Sequence, residues 1–161
     1  MSLENPLWQY ATTLYSQPGV EQCCLQLQDQ GVIIDRLLFA CWLGHRGIRL
    51  TQPRMQRLQD DWHSEVVHPL RALRYRVRSR LSRMPEAERC YRALRQAELA
   101  AEQLELMQLW QLSRDWMPEI PGDQALLRHN MEQVLGDERD QPDGVLLSQL
   151  VSAAMTLLAG D

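Results

Sequence analysis

Residues 33–43 read IIDRLLFACWL, a run that is apolar on nearly every side when it is drawn as a helix. A helix of this kind is usually the buried centre of its domain. A continuous apolar run is also compatible with a buried strand. The length of the run and the two glycines that follow it, Gly44 and Gly47, favour the helix.

Helix signals continue on both sides of this run. Asn5 precedes Pro6, which is the pattern of an N-cap residue with proline in the first helical turn. Gly31 is placed to end a second helix that starts near Val20. Asp123 is placed to cap a later helix. The helical pattern therefore extends over most of the chain.

The composition supports the same fold class. Leucine dominates the apolar residues, phenylalanine occurs once, and isoleucine, valine and threonine are few. Strands draw on β-branched and aromatic residues, so helix is favoured over sheet. We predict a single all-α domain over residues 1–161, a compact bundle of about six to eight helices.

Caps and prolines predict the helix boundaries after the central run. A long helical stretch is predicted to begin at Thr51. It should be kinked or broken near Val67-His68, because Pro69 removes one backbone hydrogen bond. The last helix is predicted over residues 145–159, after a charged loop over residues 137–144.

Residues 70–117 are predicted to form an arginine-rich, antiparallel helical hairpin around Met84-Pro85. The second helix runs without glycine or proline to about Met117. In the first helix, a narrow apolar seam at helical spacing would pack against the second. The seam consists of Leu70, Leu73, Val77, Leu81 and Met84. A turn at this position places Arg71 near Glu98 at the base of the hairpin.

The positive charge of the chain is concentrated in this hairpin. All 17 basic residues are arginine, and the net charge of the whole chain is −4. Residues 71–95 carry nine arginines and two acids, a net charge of +7, whereas residues 96–161 carry a net charge of −9. The guanidinium group of each arginine is planar and can form two parallel hydrogen bonds with a carboxylate or a phosphate. The residues predicted to bind an anionic partner are Arg74, Arg76, Arg78, Arg80, Arg83, Arg89, Arg92 and Arg95.

Three interpretations of the arginine-rich hairpin are open. It is a solvated structural face, an anion-binding surface, or a membrane-surface helix, which the narrow seam without tryptophan or phenylalanine disfavours. We predict a non-enzymatic cytoplasmic interaction or regulatory protein that binds an acidic protein or a nucleic-acid backbone. A protein or ribonucleoprotein is favoured over specific DNA, because no nucleic-acid recognition motif is present. The two helices of the hairpin could also pair between two chains, so a homo-oligomer is a further possibility.

A second hypothesis is a small-molecule- or metal-binding helical bundle, with an enzyme among its forms. Glu65 and His68 have the Glu-x-x-His spacing of carboxylate-bridged di-iron bundles, and Asp61 would lie on the same face. Such a site needs a second Glu-x-x-His, and the nearest pattern is the reversed pair His129 and Glu132. We therefore predict no catalytic residue, no cofactor and no metal site, with the first three residues as the candidates should a metal bind.

The remaining features favour the cytoplasm. The four cysteines, Cys23, Cys24, Cys41 and Cys90, have no disulfide or zinc spacing and are predicted to be free, buried thiols. The N-terminal residues lack a basic segment followed by a long apolar one, so no signal peptide is expected. No apolar run reaches about 18 residues, so no transmembrane segment is expected.

Several short blocks between residues 6 and 71 form a recognisable combination. They are Pro6-Leu7-Trp8, Tyr15, Pro18-Gly19-Val20, Cys24-Leu25-Gln26-Leu27-Gln28, Leu38-Phe39-Ala40-Cys41-Trp42-Leu43 and Glu65-Val66-Val67-His68-Pro69-Leu70-Arg71. On these blocks the chain resembles a proteobacterial family of uncharacterised proteins of about this length. The resemblance implies no activity and no catalytic residue.

Overall fold

The computed structural model describes residues 2–59, 61–136 and 144–160. These ranges contain eight α-helices and no strand. The helices are α1 Pro6–Tyr15, α2 Val20–Asp29, α3 Ile34–His45, α4 Gln52–Gln56, α5 His68–Arg78, α6 Glu88–Leu112, α7 Gln124–Leu135 and α8 Gly144–Ala159. A π-helical turn, His63–Val67, leads into α5, and a 3₁₀ turn, Pro85–Ala87, leads into α6. The predicted all-α bundle is confirmed.

Capping groups begin and end the helices where the sequence indicates. Asn5 Oδ1 accepts a hydrogen bond from the Trp8 backbone N–H at 3.0 Å. Asp123 Oδ1 accepts one from the Leu126 N–H at 2.8 Å. Gly31 follows α2 with a φ of +89°, the left-handed conformation typical of a glycine after a helix. These three predictions are confirmed.

α3 is the buried centre of the bundle. Every residue from Leu37 to Gly44 is buried. Phe39 is fully buried, and its ring centre lies 6.1 Å from that of Trp42 and 6.2 Å from that of Trp116. The helices α1, α2, α6, α7 and α8 pack around it. The central run is therefore the predicted helix, and the strand alternative is wrong.

Close backbone packing requires the two glycines that follow the run. A β-carbon at Gly44 would come within 2.9 Å of Cδ2 of Leu127 in α7. Gly47 has a φ of +71°, and a β-carbon there would lie 2.0 Å from the Ile120 carbonyl oxygen. The Gly47 carbonyl accepts hydrogen bonds from the N–H groups of Glu119, at 2.8 Å, and Ile120, at 3.2 Å. The connection between α6 and α7 is thereby fastened to the end of α3.

Helix boundaries in the middle of the chain differ from the prediction. The long helix predicted from Thr51 is wrong, because α4 ends at Gln56 and the chain then turns to bury Leu58 in the core. The predicted kink at Val67-His68 is a π-helical turn. It widens the backbone just before Pro69, whose missing N–H leaves a carbonyl without its helical donor.

α5 and α6 form the predicted antiparallel hairpin, with a longer connection than expected. Successive tight turns carry the chain from the end of α5, at Arg78, through residues 79–84. α6 ends at Leu112, short of the predicted Met117. Its 25 residues span about 37 Å. Its first half therefore stands in the hairpin, while its second half contributes Leu106 and Leu109 to the core.

The apolar seam of the hairpin is rotated from its predicted position. Leu73 is 45% exposed and Met84 is 52% exposed, so neither is covered by α6. Arg74 instead lies against α6 and pairs with Glu98. A buried carboxylate without a cation beside it costs more free energy than the burial of one further leucine would supply. The pairing of Arg74 with Glu98 is therefore favoured over the burial of Leu73.

α8 confirms the last predicted helix. The buried residues of its apolar side are Leu146, Leu147, Leu150, Val151 and Ala154. Gly144, predicted to end the charged loop, begins the helix, and the rest of that loop, residues 137–143, lies outside the described residues. None of the described helices is long and apolar enough to cross a membrane.

Candidate functional site

The hairpin carries most of the predicted anion-binding residues to solvent. We call residues 68–98 the arm. Seven of the eight predicted arginines are exposed, and we call them the arm arginines. They are Arg76, Arg78, Arg80, Arg83, Arg89, Arg92 and Arg95. Arg92 Nε lies 2.9 Å from Glu88 Oε1, one helical turn away. Within the described ranges, none of the other six forms an ion pair.

The arm has a large local excess of positive charge. Residues 76–95 contain seven arginines and two acids, a net charge of +5. The one recorded ion pair among them, between Arg92 and Glu88, joins side chains that are 74% and 46% exposed. Exposed pairs of this kind contribute little to stability. The arm arginines are therefore available to an anion from outside the chain.

Arg74, the eighth predicted residue, belongs to the base of the arm. Its Nε donates a hydrogen bond to Glu98 Oε2, and its Nη2 lies 3.3 Å from Glu98 Oε1. The guanidinium also lies over the ring of Tyr75, 4.6 Å from the ring centre. Its pKa is raised, chiefly by the hydrogen bond to Glu98. A partner could engage this arginine only by competing with a carboxylate of the same chain.

Glu98 is the buried acceptor that holds the two helices of the arm together. Arg71 Nε donates to Glu98 Oε1 at 2.8 Å, and Arg71 Nη2 donates to Glu102 Oε1 at 2.6 Å. The predicted proximity of Arg71 and Glu98 is confirmed. Burial alone would raise the pKa of Glu98, but the hydrogen bonds from Arg74 and Arg71 outweigh it and lower that pKa. Glu98 is therefore an ionised carboxylate between two cations.

A second polar group lies beside Glu98, where the arm joins the bundle. We call Asp35, His63, Glu102 and Glu105 the acid cluster. Glu105 is 5% exposed, and its Oε2 lies 3.0 Å from His63 Nδ1. The negative charges of Glu102 and Glu105 act on the Asp35 carboxyl from α6. The cluster therefore joins α3, the π-helical turn and α6 through polar side chains.

The acid cluster contains three carboxyl groups, and Arg71, which acts on two of them, also pairs with Glu98. Burial and the negative charges of Glu102 and Glu105 raise the pKa of Asp35 well above its ordinary value, against the opposing charge of Arg71. Burial also raises the pKa of Glu102, an effect that Arg71 opposes. Both carboxyl groups are therefore shifted toward their protonated forms.

The π-helical turn positions the cluster. It carries His63 toward Glu105, and just before it the Trp62 indole N–H donates to the Ala101 carbonyl at 3.0 Å. Turns of this type occur often at functional sites. Here the turn fixes two ring side chains against the middle of α6, directly below the arm.

Sequence reasoning missed the acid cluster, although two signals were present. Asp35 is the single acid inside the central apolar run. Glu98, Glu102 and Glu105 recur at helical spacing, so they share one face of α6. An acid in an apolar run and an acidic stripe on a helix that also contributes to the core together indicate a buried polar contact.

The residues of the metal hypothesis are not members of this cluster. Asp61, Glu65 and His68 are all exposed. Glu65 lies within the π-helical turn and His68 begins α5, so a regular α-helix does not connect them. Across the described part of the chain, no group of three or more histidine, cysteine, aspartate or glutamate side chains could hold a metal ion. Their placement lends the metal hypothesis no support.

The cysteines divide into two environments. Cys23, Cys24 and Cys41 are buried and free, as predicted, and burial raises their pKa values, that of Cys24 to about 12. A buried thiol with a raised pKa is a poor nucleophile. Cys90 is free but exposed on the arm, so the prediction that it is buried is wrong. It lies on the outer part of α6, beyond the reach of the core.

The raised pKa of Asp35 makes the stability of the fold depend on pH. Stability that rests on the protonated form is fully present below the ordinary aspartate pKa and is lost as the pH rises through the higher folded-state pKa. We expect Asp35→Asn to be more stable than the wild type by an amount that grows as the pH rises from the ordinary aspartate pKa to the folded-state pKa, about 1.4 kcal/mol for each unit by which folding raises the pKa. Urea unfolding across this range measures it.

Asp29→Asn is the matched control for this prediction, because Asp29 is exposed on α2 and the substitution removes the same charge. Its stability should follow that of the wild type at every pH. A constant difference between Asp35→Asn and the wild type at all pH values would contradict the prediction.

These features define an all-α bundle with a basic arm and a partly buried acid cluster at the base of the arm. The chain belongs to the family described as "Protein of unknown function (DUF2390)", whose model matches residues 6–109. The matched range includes the whole arm and the acid cluster and ends within α6. No curated protein and no solved structure matches the chain.

Proposed function

We propose that the arm binds an anionic partner through the arm arginines, and that the chain is a non-enzymatic interaction or regulatory protein of the proteobacterial cytoplasm. The observation that carries the proposal is the set of six exposed arginines on the arm with no ion pair in the described residues. A solvated structural face would reach acids of its own chain. In the described part of the chain, these side chains do not.

Repulsion among the arm arginines favours the binding of an anion. Seven arginines on one hairpin repel one another, and an anion that lies among them relieves this repulsion. Guanidinium groups bind carboxylates and phosphates with two parallel hydrogen bonds, which gives each contact a defined geometry. Glu98 keeps the arm in place without neutralising its outer part, since it is satisfied by Arg71 and Arg74.

Charge reversal on the arm tests the proposal. We expect the triple variant Arg78→Glu, Arg80→Glu and Arg92→Glu to bind fluorescent heparin on the order of 100-fold more weakly than the wild type at low salt. Fluorescence anisotropy measures the affinity, and circular dichroism should show unchanged helicity, because these side chains are exposed. Wild-type affinity in the variant would refute the proposal.

A second triple variant, with the same change in net charge outside the arm, tests whether the loss of heparin binding is specific to the arm. Arg49→Glu, Arg57→Glu and Arg114→Glu together change the net charge by the same amount at exposed positions outside the arm. This variant should bind heparin within about threefold of the wild type. Equal loss in both variants would mean that net charge, not the arm, governs binding.

A further inference from the structure

The arm and Leu99, the residue that follows it in α6, expose large apolar side chains beside the arm arginines. Leu73 is 45% exposed, Tyr75 39%, Met84 52% and Leu99 54%. Surface residues of this kind are unremarkable when they are scattered singly. Here four of the nine large hydrophobic residues that are exposed in the described ranges lie between residues 73 and 99.

Two of them share one face of the hairpin with arginines. The hydrogen bond between Arg71 and Glu102 marks this face, because it joins α5 to α6. Tyr75 lies one helical turn after Arg71, and Leu99 lies about one turn before Glu102.

Helical spacing extends this face toward the tip of the arm. Arg78 follows Tyr75 by three residues, while Arg95 and Arg92 precede Leu99 by four and seven. We call Tyr75, Arg78, Arg92, Arg95 and Leu99 the arm face. Leu73 lies about 200° around α5 from Tyr75 and belongs to the other side of the hairpin.

The combination of arginines and apolar side chains on the arm face favours one class of partner. A nucleic-acid backbone offers phosphates to the arginines, but it leaves Leu99 in water. A protein surface offers both carboxylates and apolar side chains, and arginine and tyrosine are enriched in such interfaces. The described residues contain no strand edge that could accept an extended peptide. The shallow groove between two antiparallel helices instead suits a third helix.

We propose that the arm face docks an acidic amphipathic helix of a partner protein, an inference that rests on the proposed function. The apolar side of that helix covers Tyr75 and Leu99. Its carboxylates pair with Arg78, Arg92 and Arg95. The burial of apolar surface supplies a contribution that salt does not screen, while the carboxylates fix the orientation of the helix.

Two synthetic helices and an RNA duplex test this inference. The first helix carries glutamates on one face and leucines on the other, and the second carries the same glutamates with glutamine in place of leucine. We expect the wild type to bind the first helix about tenfold more tightly than the second, and more tightly than the duplex, in fluorescence anisotropy at physiological salt. Leu99→Ser should remove the tenfold preference and leave binding of the second helix unchanged.

Leu73→Ser is the matched control, because it removes another exposed leucine from the opposite side of the same hairpin. It should retain the preference for the leucine-containing helix. Equal loss in both variants would show that the arm face is not the docking site and would overturn the inference.

The outcomes separate this inference from the proposed function. If the wild type binds heparin but shows no preference for the leucine-containing helix, the proposed function stands and the inference is overturned. Tighter binding of the RNA duplex, or a wild-type dimer that Leu99→Ser disperses in sedimentation, also overturns it. If heparin and both helices fail to bind, the proposed function and the inference fall together.

Discussion

Replacing Glu98 with alanine is expected to lower the free energy of unfolding by about 4 kcal/mol. The side chain is 5% exposed, and it accepts hydrogen bonds from both Arg71 and Arg74. Those two arginine side chains are themselves only 12% and 13% exposed. Removing the carboxylate leaves two cations in a poorly solvated position, and this uncompensated charge accounts for most of the loss. Urea unfolding followed by circular dichroism measures it.

Two further variants identify the cause of the Glu98 effect. Glu86→Ala removes an exposed glutamate of the same arm and should change the stability by no more than about 0.5 kcal/mol. Replacing Arg71, Arg74 and Glu98 together with methionine should recover at least half of the loss, because an apolar contact then replaces the whole charged group. A triple variant less stable than Glu98→Ala would mean that the charges themselves stabilise the arm.

Asn130→Ala is the second substitution with a large expected effect, about 3 to 4 kcal/mol. Asn130 is fully buried in α7, and its Oδ1 accepts a hydrogen bond from the Leu50 N–H at 2.8 Å. Its Nδ2 donates to the carbonyls of Ile48, at 2.8 Å, and Ala40, at 3.3 Å. Alanine would remove these hydrogen bonds from the buried Leu50 N–H and Ile48 carbonyl, while the Ala40 carbonyl keeps its place in the hydrogen-bond ladder of α3. Thermal and urea unfolding measure the loss.

Asn5 supplies the comparison for this prediction, since it is the only other asparagine of the chain. Its side chain caps α1 through the Trp8 N–H. Asn5→Ala should therefore lower the stability by only about 1 kcal/mol. Equal losses at Asn5 and Asn130 would mean that the bonds from α7 add little to the link between α3 and residues 48–50.

The helices with local signals could be predicted from the sequence. The run at residues 33–43 has no polar side that could face water, so a helix there must be buried. The pairing of Arg71 with Glu98 also follows from sequence, because the position of the hairpin turn sets which residues of antiparallel helices meet. In both cases the decisive information lies within a short stretch of chain.

The features that the sequence did not predict depend on contacts between distant segments. Asp35 and Glu105 are far apart in the chain, and only the packing of α6 on α3 brings them together. The rotation that exposes Leu73 follows from the burial of Glu98, which nothing in the local pattern of α5 indicates. The early end of α4 follows in turn from the burial of Leu58 in the core formed by other helices.

The exposure of Cys90 gives the arm a natural attachment point for spectroscopic labels. The other three cysteines are buried, so a maleimide dye would react at this one position in the native protein. All five tryptophans lie outside the arm, and along α6 the rise from Cys90 to Trp110 is about 30 Å. Energy transfer from indole to dye would therefore report any change in the distance between the arm and the tryptophans when a partner binds, without any substitution in the chain.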